Sequence, residues 1–174
     1  VSLYVDCLLE QCERLEEAEQ QLRRVVAQVP EDTELRAYLA YVLGRRDAFA
    51  EAVDQAERVL RAEPGHEWAW NQLKYYAEQL QAGERPLQLA RQLVENRPGD
   101  VDAWLALADL ETDREARENA LRAALAYSPR SRAINDRLLQ LLMEGERFAE
   151  VRELLAAPCW EGKPPVELSL IHIS

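Results

Sequence analysis

Residues 34–64 read ELRAYLAYVLGRRDAFAEAVDQAERVLRAEP, and residues 67–98 read EWAWNQLKYYAEQLQAGERPLQLARQLVENRP. Each segment holds an apolar-periodic stretch, a short polar break, a second apolar-periodic stretch and a closing proline. Residues 101–129, VDAWLALADLETDREARENALRAALAYSP, repeat the pattern. The closing prolines Pro30, Pro64, Pro98 and Pro129 stand 34, 34 and 31 residues apart. A period of this length marks an array of helical hairpins rather than one domain around a central core.

Within each segment the apolar positions recur every three or four residues. Leu35, Leu39, Val42 and Leu43 form one stripe, and Leu87, Ala90, Leu93 and Val94 another. That is the period of a one-faced helix. Alanine, leucine, arginine, glutamate and glutamine dominate, all good helix formers, and no segment alternates as a half-buried strand does. The breaks carry turn residues: Pro64-Gly65, Pro98-Gly99-Asp100, and Gly83 and Gly145 between paired helices. Asp32 and Asp100 are candidate N-caps. Pro86 is tolerated if it falls in a first turn, where its missing N–H is not needed.

Trp70-x-x-Leu73 and Trp104-x-x-Leu107 lie in the first stretch of two segments, and Ala52 lies near the start of a second stretch. With the spacing of the prolines, these features resemble the tetratricopeptide repeat, whose pattern is W-x2-L-G-x2-Y, then A-x3-F, then P. The resemblance covers residues 1–157. Ala18 matches the small position of the first unit and Phe148 opens the second helix of the last. It departs from the pattern at Lys74 and Ala108, where a glycine is expected, and at Pro86, where a small alanine is expected. The fourth unit is three residues short, at the turn around Thr112 and Asp113.

The expected fold is all-α, a right-handed α-solenoid of about five antiparallel helix-turn-helix units spanning 1–32, 33–66, 67–100, 101–131 and 132–157. An irregular linker is expected at 158–167. Trp70 and Trp104 are read as core, where large aromatics pack between hairpins. Leu138, Leu142 and Leu154 are expected on an exposed outer face of the last unit.

The net charge is −11 and the sequence pI about 4.8. This argues against nucleic acid and anionic membranes as partners, because phosphate binding needs clustered Lys and Arg. No apolar run approaches the ~20 residues of a membrane span. Cys7, Cys12 and Cys159 are odd in number and lack metal-knuckle spacing. Two histidines leave little material for metal or Ser-His chemistry, and no phosphate loop or nucleophile elbow is present. Acid pairs such as Glu16-Glu17 read as solvated charge. The expectation is a chain that is not an enzyme and takes no cofactor and no metal.

In the family that this chain resembles, the first helices of successive hairpins line a concave groove. Carried over by helix phase, the groove residues are Tyr38, Tyr41 and Arg45; Trp68, Asn71, Gln72 and Tyr75; Asp109; and Arg137. The amphipathic aromatics among them suit the gripping of an extended or helical peptide. The leading reading is a protein-interaction or scaffold module whose partner is a protein or peptide, basic or aromatic in character. The alternative is a regulatory or substrate-presenting segment of a larger, truncated enzyme. A prenyltransferase-type subunit is a third reading, and the basic residues to handle a diphosphate are missing. The matching helix faces hold Ala37, Tyr41, Gln72, Asp102 and Ala106, without the basic pair that relatives use to grip chaperone C-termini.

The ends read differently. Val1 in place of Met points to a missing start, and a cytoplasmic setting is expected. The final residues, LSLIHIS at 168–174, ignore the helical period and resemble the translation of a sequencing adapter. Nineteen arginines against two lysines fit a GC-rich bacterial genome.

Overall fold

The computed structural model describes residues 14–156 of the chain. Nine helices lie among the described residues: α1 Leu15–Gln28, α2 Thr33–Arg45, α3 Phe49–Ala62, α4 Glu67–Gln79, α5 Arg85–Asn96, α6 Val101–Leu110, α7 Arg114–Tyr127, α8 Arg132–Glu144 and α9 Phe148–Leu155. No strand occurs among them. The cysteines, the 158–167 stretch and the 168–174 tail lie outside the described residues, as does most of the expected first helix of the first unit.

Connections of a few residues join successive helices. The helices pack as two units, one up to Leu89 and the other from Ala90. In the first, α2 packs on α1, α3 and α4, and α3 also packs on α4. Its core is Leu22 and Val26 with Leu39, Val42, Leu43, Val53, Val59, Leu60, Leu73 and Tyr76. In the second, α8 packs on α6, α7 and α9, around Leu107, Leu121, Ile134, Leu138, Leu139, Leu142 and Val151.

The repeat is visible in its turns. Two residues after each proline stands an N-cap, Asp32, His66, Asp100 or Ser131, whose side chain accepts from a backbone N–H three residues on: that of Leu35, Ala69, Ala103 or Ile134. Each satisfies an otherwise orphaned donor of the first turn. Six residues after each proline a side chain donates to the proline carbonyl: Arg36 Nη2 to Pro30 O at 2.7 Å, Trp70 Nε1 to Pro64 O at 2.7 Å, Trp104 Nε1 to Pro98 O at 2.8 Å, and Asn135 Nδ2 to Pro129 O at 3.4 Å. Trp70 and Trp104 are buried as expected. The latch explains why arginine and asparagine stand in for tryptophan in the other two turns: all three types bring an N–H donor.

Turns inside the hairpins also recur. Asp47, Gln81 and Glu146 adopt positive φ, 59°, 55° and 55°, and the next N–H, of Ala48, Ala82 or Arg147, returns to the carbonyl of Leu43, Ala77 or Leu142. This is a left-handed helix C-terminus of Schellman type. The left-handed position is not the glycine the sequence offers, since Gly145 has φ −91° and the reversal falls on Glu146. The fourth segment has no such turn. There α6 stops at Leu110 and Asp113 caps α7 by accepting from Ala116 N at 2.8 Å, which accommodates the shortened spacing. Pro86 is the second residue of α5, within its first turn.

One packing expectation is corrected. Leu138 and Leu142 are each about 1% exposed. Because α8 is flanked by α6, α7 and α9, both of its apolar phases are covered. Among the described residues of that end, the large apolar side chain left exposed is Phe148, at 58%.

Candidate interaction surface

In the first unit, the outward faces of α2 and α4 bring four aromatic rings together. Trp68 meets the ring of Tyr38 edge-on at 5.3 Å and that of Tyr41 at 5.8 Å. His66 stacks beside Trp68 at 6.4 Å. Arg45 donates to the Tyr41 hydroxyl at 3.0 Å, with its guanidinium carbon 5.8 Å from the ring centroid. Trp68 remains 36% exposed while held by three rings, and Tyr38 and Tyr41 are half-buried. Such a cluster is pre-organised, because the rings have already lost the rotamer freedom that a partner would otherwise have to freeze.

A second aromatic group lies further along α4. Tyr75, 54% exposed, meets Phe49 at 6.4 Å and Tyr76 at 5.6 Å. Tyr76 is buried, and burial pushes its phenol well above the ordinary range. Its ring lies where a Cβ on Gly44 would sit. Gly44 therefore lets α2 and α4 approach closely enough for Tyr76 to pack across it.

Asn71 is exposed beside Trp68 and Tyr75, but Gln72 is 6% exposed, and neither of its amide atoms has a hydrogen-bond partner. Three- and four-residue spacings from Trp68 reach both positions. The wide buried arc of α4, from Ala69 and Trp70 through Gln72, Leu73, Tyr76 and Ala77, takes Gln72 inward and leaves Asn71 outside.

Asp109 and Arg137 belong to the second unit, where they form an exposed ion pair at 3.2 Å between α6 and α8. They border a shallow pocket of about 70 Å3 floored by Ala108, Leu121 and Leu141, with Arg117, Gln140 and Glu144 completing it. Arg117 donates to the Glu111 carbonyl at 3.0 Å. The predicted residues thus fall into an aromatic group on the first unit and a charged group on the second.

Sequence reading missed His66 and Phe49. His66 stands two residues after Pro64, where Asp32 and Asp100 follow Pro30 and Pro98, so its capping role was readable from the period. Its stacking on Trp68 was not.

The second helices carry a different surface. Glu19 accepts from Arg23 at 2.8 Å and pairs with Arg46, and Arg23 reaches Glu51 at 2.5 Å. Glu118 accepts from Arg122 at 2.7 Å and from Arg147 at 2.5 Å, and Arg122 reaches Glu150 at 2.7 Å. Glu57 takes Arg61 and Arg85 in the same way, at 2.8 and 2.6 Å. These ladders tie α1, α3 and α7 to the hairpin that follows each.

Fold and turns together define an all-α helical-repeat protein. Among solved structures, the chain is similar to MamA: a fragment "41-end from Desulfovibrio magneticus RS-1" aligns at 20% identity over 88% of this chain and 92% of that one, with a TM-score of 0.46. A MamA from AMB-1 aligns at 17% identity over 98% and 96%, with a TM-score of 0.47. No protein-family model and no curated protein matches the chain.

Proposed function

We propose that this chain is a protein-interaction module of tetratricopeptide type, with residues 1–157 divided into five units, and that it holds a peptide or a partner domain on its first-helix faces. The observation that carries the reading is the exposure of Trp68 inside a fixed ring cluster with Tyr38 and Tyr41. A large, rigid, part-polar side chain that is already ordered is the kind of residue that dominates binding energy. Tyr75, Asn71 and Arg45 extend the same surface. The net charge of −11 favours partners with basic or aromatic segments over nucleic acid. No helix among the described residues is long and apolar enough to cross a membrane. A cytoplasmic setting belongs to the same proposal.

Partner capture with the intact gene product, followed by binding isotherms, tests this. Trp68→Ala and Tyr75→Ala are expected to weaken binding by about 1–3 kcal/mol each, and added salt to weaken it further. A partner whose affinity is indifferent to both substitutions would refute the assignment of the aromatic face.

A further inference from the structure

We infer that His66 is a proton-sensitive cap that sets the position of Trp68, so that acidification remodels the aromatic face; this rests on the reading of that face as the binding surface. The four turns after the prolines use one capping position, filled by Asp32, His66, Asp100 and Ser131. Aspartate and serine cap through oxygen. Histidine caps through Nδ1, which accepts from Ala69 N at 3.3 Å. That bond requires Nδ1 to be bare, so the neutral ring carries its proton on Nε2. A second proton can go only to Nδ1. There it meets the Ala69 N–H head-on, and it brings positive charge to the positive end of the α4 dipole. Protonation therefore removes the cap.

The surroundings give the charged ring somewhere to go. The His66 side chain is 8% exposed, and its Nε2 has no hydrogen-bond partner in the neutral arrangement. Glu34 on α2 lies beyond it, with Oε1 at 3.6 Å. The other charged groups nearby in the chain are Glu63, which Thr33 Oγ1 engages at 3.0 Å, and Glu67 of α4 itself. A charged imidazole released from Ala69 gains by tilting toward Glu34. It cannot tilt without disturbing Trp68, on which it stacks at 6.4 Å, and through Trp68 the rings of Tyr38 and Tyr41. The chain has only two histidines, and the other, His172, lies outside the described residues. Histidine is the one side chain whose ordinary charge change falls in the neutral to mildly acidic range. The one histidine among the four caps is thus the one beside the exposed tryptophan.

The test needs no partner, so its failure is distinct from failure of the interaction reading. Nitrogen-15 spectra of the full chain are recorded from pH 8 to pH 5, following the His66 ring nitrogens, the Ala69 amide and the Trp68 indole N–H. Expected are the Nε2-protonated tautomer at high pH and a common midpoint for all three signals. His66→Asp restores the oxygen cap used at Asp32 and Asp100, so it should fold and leave Ala69 and Trp68 flat across the range. Glu34→Gln, which removes the acceptor for the charged ring, should shrink the Trp68 movement. The inference is overturned if His66 titrates while Ala69 and Trp68 stay still, or if their movement persists in His66→Asp.

Discussion

The two units build the same turns and then present different chemistry on them. Eleven residues after the proline, the first unit has Tyr41 and Tyr75, while the second has Asp109 and Gln140. Four residues after it, Glu34 and Trp68 stand against Asp102 and Ala133. The caps and carbonyl latches behind these positions are shared. Surface identity is therefore free to vary because it carries no share of the turn. Six residues after the proline the side chain is committed to the latch and to packing, and only donors appear there. The units also show that one residue type can do either job, since Trp104 is scaffold and Trp68 is surface.

The largest expected effect follows from that contrast. Trp104→Ala removes a buried ring, its bond to Pro98 O and its stack on Tyr127 at 6.2 Å. The cost should be about 3–5 kcal/mol. Trp68→Ala loses its contacts with Tyr38, Tyr41 and His66 at a surface site and should cost roughly 1–2 kcal/mol. Paired thermal melts decide the matter. Equal destabilisation by the two would make Trp68 scaffold and abolish the distinction between the faces.

Gly44 offers a sharper test inside the first unit. A methyl there meets the Tyr76 ring, which also supports Tyr75 and Phe49. Gly44→Ala should destabilise by about 1–3 kcal/mol through overpacking, despite alanine's better helix propensity. Denaturant midpoints for Gly44→Ala with and without Tyr76→Phe separate ring volume from the hydroxyl. A stabilised Gly44→Ala would mean that α2 and α4 are not held at this distance.

The proline period and the three-to-four-residue apolar spacing made the helices, Trp70 and Trp104 readable, because backbone turns and core faces leave periodic traces. Asp32 and Asp100 were readable as caps for the same reason. Helix phase found the aromatic surface, but a two-fold ambiguity in spacing let Gln72 in beside Asn71. How much of an α4 turn is covered depends on neighbours that no local pattern describes. The same limit put Leu138 and Leu142 on the wrong side. The latch escaped notice because tryptophan, arginine and asparagine share a donor rather than a hydropathy.

The charge ladders, which occur in both units, should show a smaller, pH-dependent effect. Burial works against the charge on Glu19, but hydrogen bonds from Arg23 and Arg46 outweigh it and hold the carboxyl below its ordinary range. Glu118 behaves likewise under Arg147 and Arg122. For Glu51 the hydrogen bond from Arg23 leads, and for Glu150 that from Arg147; both are also lowered. A carboxylate depressed in the folded state contributes stability above its unfolded value, and the contribution is lost as pH falls through the folded value. Melting temperature should therefore be level near neutrality and decline below about pH 5. Glu118→Gln should flatten part of that decline. A decline of unchanged steepness would show that this ladder is too solvated to matter.

The smallest prediction concerns the turns that the units do not share. Asp47, Gln81 and Glu146 hold left-handed backbone at the ends of α2, α4 and α8, while the turn after α6 avoids it. A residue with a Cβ is strained there, by roughly 1–2 kcal/mol, and glycine is not. Glycine also makes the unfolded chain more flexible, which offsets part of the gain. Gln81 is exposed and its backbone N–H bonds to the Glu78 carbonyl, so its side chain is not needed for the turn. Gln81→Gly should therefore stabilise the chain by about 0.5–1 kcal/mol, read as a rise in the urea midpoint at constant slope. The same substitution at Thr112, in the turn after α6, should destabilise, because no left-handed residue there gains from it and only the entropy cost remains. If both glycines act alike, the strain at Asp47, Gln81 and Glu146 is not what distinguishes the two kinds of turn.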